Sequence, residues 1–412
     1  MNSILRKKLN EFFEYLLTYL VIGFSSAGYW TEQEYLLTVI TVFLFVVCIL
    51  KDKFFFTKKY AAFFLILVFV IIMQGLTTDI FDTRSISGIL IRFLFPFVSI
   101  LLLREKFINK YINIVYYLSV IGLIFFILKN VFPDFNSFLI TLGQELPFDD
   151  ESGEFFLIYS SRYKEFGTIM SNSGFASEPG AYAILLSIAL IFSIFKTGKL
   201  ITKEGFVFVS ALLSTFSTAG YISLALILGG YLYKRIQKNK YLLILLYGLL
   251  VLIFAIVYKD FDFMGEKIHR QIELSMDPYQ TKGRFASAAA DIEVWKTNPL
   301  WGTGKSALSY SSTVASLGFE SEHRVNGLAN FLAKFGIIIF LLYFIYLYQS
   351  ISEFAKKAKQ PIRAAQFYWL SLVSVAFAQI CLQWPLYIIL LYIPLALRHM
   401  IFSTTEIALQ RN

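Results

Sequence analysis

Apolar runs of spanning length recur along this chain, each closed by a short polar turn, and only two longer polar stretches break the pattern. A helix needs about twenty apolar residues to cross a bilayer. Windows of that kind fall at approximately 11–29, 33–50, 60–76, 86–103, 111–132, 179–196, 204–218, 220–234, 240–258, 326–348, 364–383 and 385–402. The seventh and eighth are the weakest and are parted only around Ala219 and Gly220. Runs such as YLLILLYGLLVLIFAIVY do not alternate as the short strands of a membrane β-barrel must. The expected fold is all-α: a polytopic bundle of about twelve transmembrane helices, forming one integral membrane domain over 1–412.

The two polar stretches cover about 134–178 and 259–325. The first contains the acidic run LPFDDESGE, which lacks the spacing of a calcium loop and reads as a solvated segment. In the second, FASAAADIEVWK after Gly283 reads as a helix that stops at Asn298-Pro299, because the residue before proline disfavours the helical region.

Composition agrees with a membrane protein. Hydrophobic residues make up 57% of the chain, charged residues 16%, and the mean hydropathy is +0.64, whereas soluble domains carry about a quarter charged residues. The net charge of +9 is not a nucleic-acid signal. Its lysines and arginines collect in short turns: KDKFFFTKK, REKFINK, KTGKLITK, KRIQKNK and FAKKAKQPIR, with Arg6, Lys7 and Lys8 before the first span. The alternate turns, WTEQE and TTDIFDTR, are acidic or mixed. The positive-inside rule then puts both termini in the cytoplasm and both long connections outside. No small-residue cleavage site follows the basic N-terminus, so the first span reads as a retained helix. Cys48 and Cys381 lie inside apolar segments and suggest neither a disulfide nor a metal site.

Any chemistry should sit where the long connections meet the bilayer. Arg92 and Lys334 fall within spans, each about two turns, or on the order of 10 Å, from the outer end. A cation there either lines a pocket or snorkels to the interface. WGTGKS over 301–306 resembles a phosphate-binding loop but has Pro299 where the motif needs its first glycine. No HExxH or paired Cys/His spacing supports zinc, and no G-x-S-x-G supports a serine hydrolase. No metal and no cofactor are expected.

Four stretches, in this order, resemble the O-antigen polymerase and ligase superfamily: RYKEFGTIMSNSGFASEPGAYAILLSIAL, LLSTFSTAGYISL, GRFASAAADIEVWKTNPLWGTG and HRVNGLANFLAKFGIIIFLLYF. The likeness spans about 162–344 in motifs and the whole chain in topology, and is nearest to the Wzy-type polymerases of repeat-unit polysaccharides. It implies a GT-C-like glycosyltransferase of the bacterial inner membrane, with its active site on the periplasmic side. Its substrate would be an undecaprenyl-diphosphate-linked oligosaccharide, its leaving group the lipid diphosphate, and a chain-length regulator its partner. The resemblance also implies site residues. Arg284 is the arginine before the Asn-Pro-Leu helix, and Arg162, with Lys164 as a rival, is the one ahead of Glu-Pro. Fixed guanidinium charge suits a departing diphosphate, and Arg92 is a third candidate. Glu178 at the mouth of its span is the candidate base, with His323 its rival. Asn326 matches the family's Asn before the following helix, but Val325 stands where ligases carry His, and His323 lies two residues early. The Ser214, Thr215, Ser217 and Thr218 cluster either lines a sugar pocket or packs helices through small residues. Two other functions compete with polymerisation: ligation, and transport of a lipid-linked sugar. Internal repeats, which a transporter would favour, are not found.

Overall fold

The computed structural model describes residues 3–27, 30, 33–144, 155, 156, 158–160, 165, 166, 169–236, 283–319 and 325–397, with 239, 241, 242, 244, 245 and 248 besides. Helices dominate: α1 Ser3–Ser26, α2 Glu34–Leu50, α3 Lys58–Thr78, α4 Thr83–Leu103, α5 Lys106–Val131, α6 Pro133–Gln144, α7 Pro179–Thr197, α8 Lys203–Ser214, α9 Thr218–Ile236, α10 Arg284–Thr297, α11 Ser312–Ser316, α12 Gly327–Lys357, α13 Ile362–Ala378 and α14 Pro385–Leu397. Two hairpins of two-residue strands, Phe155–Phe156 with Tyr159–Ser160 and Glu165–Phe166 with Ile169–Met170, lie in the first long connection.

Five helices, α3, α4, α5, α7 and α12, are long and apolar enough to cross a membrane. Helices α2, α13 and α14 are apolar but shorter. The expected spans coincide with helices wherever residues are described; the ninth, 240–258, lies almost wholly outside them. Several boundaries differ: α12 runs to Lys357 and α13 stops at Ala378, where 348 and 383 were expected. Helix α1 starts at Ser3, because its basic first turns are good helix formers. The break between the seventh and eighth helices falls at Thr215–Ser217, not at Ala219-Gly220. Thr215 Oγ1 bonds back to Leu212 O (2.7 Å) and accepts from Ser217 N (3.2 Å), so the hydroxyls compete with the helical ladder there.

Contacts between the turns mark two chemically distinct ends of the bundle. The basic turns share one end: Lys53 Nζ donates to Leu102 O (3.2 Å), Lys59 pairs with Glu353 (3.8 Å), and Lys357 donates to Leu397 O. Both long connections share the other. There Ser177 N donates to Ser26 O (2.8 Å), Asn172 N to Ser214 O (3.0 Å), and Asn298 Nδ2 to Thr77 Oγ1 (2.7 Å).

The first connection returns to the bundle as a buried polar segment, Ser171 to Ala176. Burial without partners would be costly, and neighbours supply them. Asn130 accepts from Met170 N (2.8 Å) and donates to Met170 O (3.2 Å). The buried Lys129 ammonium donates to Ser171 O (2.6 Å). Asn172 donates to Ser214 Oγ (2.9 Å) and accepts from Gly174 N (2.9 Å). Replacing Asn172 with Ala would strand these groups. The expected cost is about 1–3 kcal/mol, read as a lower unfolding temperature in detergent; an unchanged temperature would show that water satisfies the segment instead.

The second connection meets the bundle at a break in α12. Gly336 (φ 70°, ψ 174°) interrupts the helix, freeing the carbonyls of Ala333 and Lys334 and the amide of Ile337. The segment after α10 satisfies all three: Thr303 N donates to Ala333 O (3.0 Å), Gly304 N to Lys334 O (3.0 Å), and Ile337 N to Pro299 O (3.0 Å). Gln74 of α3 clamps the joint, donating to Trp301 O (2.6 Å) and Lys334 O (2.9 Å). The WGTGKS stretch is therefore a backbone splice for a broken helix. The residues after the break, Ile337 to Lys357, still suffice to span.

Candidate functional site

Three helix N-termini meet at the end of the bundle that carries the long connections. Helix α7 begins with Pro179 at its first position, where no amide is needed, and Glu178 is its extended N-cap (φ −156°, ψ 161°). Helix α10 begins after Gly283. Helix α12 begins after Asn326, whose Oδ1 accepts from Ala329 N (3.0 Å). Val325 N donates to Ser287 Oγ (3.1 Å), which pins the start of α12 to the first turn of α10. The end of α13 closes the group. Gln379 packs so tightly against Gly180 that a Cβ there would meet its Nε2 at 2.2 Å, and a Cβ on Gly327 would meet Gln379 O at 1.9 Å. The Phe285 and Phe377 rings touch, with centroids 5.7 Å apart.

Arg284 occupies the first position of α10 within this junction and is partly buried. Burial pulls the pKa of its guanidinium below the ordinary value, and the Glu178 carboxylate pushes it back up. A guanidinium remains charged under such a shift. Two of the expected site residues thus act on each other across more than a hundred residues of chain. Helix N-termini carry partial positive charge and free amides, and three of them beside an arginine make a setting for a phosphate-bearing ligand. Glu178 adds a carboxylate beside it. Gln379 was not foreseen; a polar residue closing an apolar run just ahead of Trp384-Pro385 was the available signal.

Below Arg284 on α10, Ser287 and Asp291 are buried on the same face at i+3 and i+7. Asp291 accepts a short hydrogen bond from Tyr310 OH, to which Asn330 Nδ2 also donates (3.1 Å). The Lys334 ammonium stands 4.6 Å from the Tyr310 ring centroid. Lys334, partly buried, thus packs α12 against the Tyr310 turn, which Asp291 ties to α10.

Arg92 belongs to a second charged group. Its guanidinium donates to Glu34 Oε1 (2.8 Å), and Lys305 Nζ donates to the same oxygen (2.9 Å). Ser306 Oγ donates to Asp82 (2.7 Å). That bond, with those from Ser85 and Arg84, holds the Asp82 carboxyl down at about 2. Through Lys305 and Ser306 this group joins the segment that follows the C-terminal end of α10. Asn326 stands at the junction, capping α12. Arg162 and His323 lie outside the described residues. The Ser214, Thr215 and Ser217 hydroxyls cap the α8–α9 break and hold the buried segment. Among the described residues no three His, Cys, Asp or Glu side chains gather as metal ligands would.

Comparison with known proteins gives one match. Residues 205–344 match the family described as O-antigen ligase. The matched part is about a third of the chain and includes α9, α10 with Arg284, Asn326 and the break in α12, but not Glu178 or Arg92. No curated protein and no solved structure matches the chain.

Proposed function

Starting from the O-antigen polymerase and ligase superfamily, supported by residues 205–344, we propose that this integral membrane protein is a GT-C-like glycosyltransferase. It polymerises repeat units carried on undecaprenyl diphosphate into O-antigen or a related surface polysaccharide. The observation that carries the reading is Arg284, set with Glu178 where the α7, α10 and α12 N-termini meet. In this mechanism Arg284 and the helix ends hold the diphosphate and stabilise its charge as the glycosidic carbon–oxygen bond breaks. The fresh unit's hydroxyl attacks that carbon, and Glu178 takes its proton. Gln379, packed on Gly180, positions the start of α7. The chain forms a single membrane domain in the bacterial inner membrane. The basic turns face the cytoplasm, and the junction faces the periplasm. Arg162 and His323 are retained as further candidates, and a chain-length regulator as a partner.

Ligation is the second reading, favoured by the description of the matched family. Val325 at the foot of α12 supports polymerisation instead, because it puts an apolar side chain where the ligase pattern has its histidine. Deletion separates the two. Loss of a polymerase leaves a single band of core plus one repeat unit, whereas loss of a ligase leaves polymer stranded on its lipid carrier. Purified protein that lengthens lipid-linked units unaided would exclude a transporter.

A further inference from the structure

Polymerisation on lipid carriers requires two lipid diphosphates at once. The donor's diphosphate leaves at the junction. The acceptor is attacked at its non-reducing end, so its own diphosphate stays anchored in the same leaflet, one repeat unit away. We propose that the groove between the first turns of α2 and α4 holds the acceptor's lipid diphosphate. This inference rests on the polymerase reading.

The groove encloses about 310 Å³ and is lined by Glu34, Thr38, Arg84, Ser87, Gly88 and Arg92 among others. Arg84, Gly88 and Arg92 succeed one another at i, i+4 and i+8, which stacks them on one face of α4. A Cβ on Gly88 would meet nothing within 4 Å, so the floor between the two arginines is open. Arg84 and Arg92 line the groove with one carboxylate, Glu34, which Lys305 also pairs from beside Asp82 outside the lining. Arg92 spends one terminal nitrogen on Glu34, while its Nε is buried without a hydrogen-bond partner. Arg84 is exposed and makes no ion pair among the described residues. Such a fork is suited to phosphate oxygens. Below the groove, the α2 face that carries Val39, Val42, Phe43 and Val46 is exposed, as a surface for an isoprenoid tail would be.

The spacing agrees with a short oligosaccharide. Arg284 opens α10, whose 14 residues are about 21 Å long, and the segment that follows its other end reaches the groove through Lys305 and Glu34. Beside that far end lies a cavity of about 440 Å³ whose lining includes Thr77, Thr78, Thr297, Asn298, Thr303 and Ser312. Hydroxyls and an amide can both donate and accept, which matches the hydroxyls of a sugar.

Native mass spectrometry of the purified full chain with undecaprenyl diphosphate tests the groove. Wild type is expected to carry two lipids, and Arg84→Gln with Arg92→Gln only one. Arg84→Gln alone, at an exposed position, should already lower occupancy of the second. In transfer assays the double variant should raise KM for a lipid-linked acceptor by about tenfold or more relative to its KM for a lipid-free oligosaccharide. Two lipids retained by the double variant, or equal losses with both acceptors, would overturn the assignment. Two bound lipids with no sugar transfer at all would keep the groove as a lipid-diphosphate site and sink the polymerase reading.

Discussion

Arg284→Lys is expected to slow chain extension by on the order of a hundredfold or more, at normal protein levels in the membrane. The substitution keeps a cation at the first position of α10 but removes the planar fork that can grip two phosphate oxygens. It also introduces a group that burial can neutralise. The environment that lowers the Arg284 pKa leaves a guanidinium charged, but an ammonium begins from only about 10.4. A lysine there is charged below its depressed pKa and loses its charge as pH rises through it. Residual activity of the variant should therefore fall with rising pH over a range where wild type holds steady. The readouts are a polysaccharide ladder and a pH profile of reconstituted transfer. A full-length ladder from the variant would remove Arg284 from the mechanism.

Gly336→Ala should be the most damaging single change to the fold. The residue sits at φ +70°, and an added Cβ would stand 2.3 Å from Leu300 O and 2.5 Å from the Trp301 carbonyl carbon. Both are backbone atoms and cannot swing aside. Left-handed strain alone costs about 1–3 kcal/mol, and separating the splice would also unsatisfy Ala333 O, Lys334 O and Ile337 N inside the protein. The expected total is about 3 kcal/mol or more, measured as lost membrane abundance and a lower unfolding temperature in detergent. Gly88→Ala in α4, with open space around its Cβ, serves as the control and should be neutral or slightly stabilising. Equal behaviour of the two variants would refute the splice.

Much of the architecture was legible because lipid imposes a simple rule: a long apolar run must be a helix. Asn298-Pro299 ended α10 as proline chemistry requires, and Glu178-Pro179 opened α7. The splice was not legible. Nothing in NPLWGTG announces three backbone bonds to a helix thirty residues onward, and Gly336 inside AKFGIII reads locally as one more apolar-helix residue. The site was legible in part for the same reason. Arg284 and Glu178 stood out by motif, but their approach to each other depends on tertiary packing. Arg92 was open to a pocket or a snorkelling reading; the structure places it in the wall of a groove and supplies Glu34 and Lys305, which come from elements far apart in sequence.

One trio of hydroxyls bears on how the chain is made. Ser223 of α9 joins Ser187 of α7 and Ser371 of α13, each at 2.7 Å, deep among the helices. Helix α9 is not among those apolar enough to span unaided. During synthesis it leaves the translocon well before α13 exists, with only Ser187 to receive that hydroxyl. The last partner of that hydroxyl thus arrives with a helix more than a hundred residues later, so the packing of this half of the protein is completed only after α13 is made.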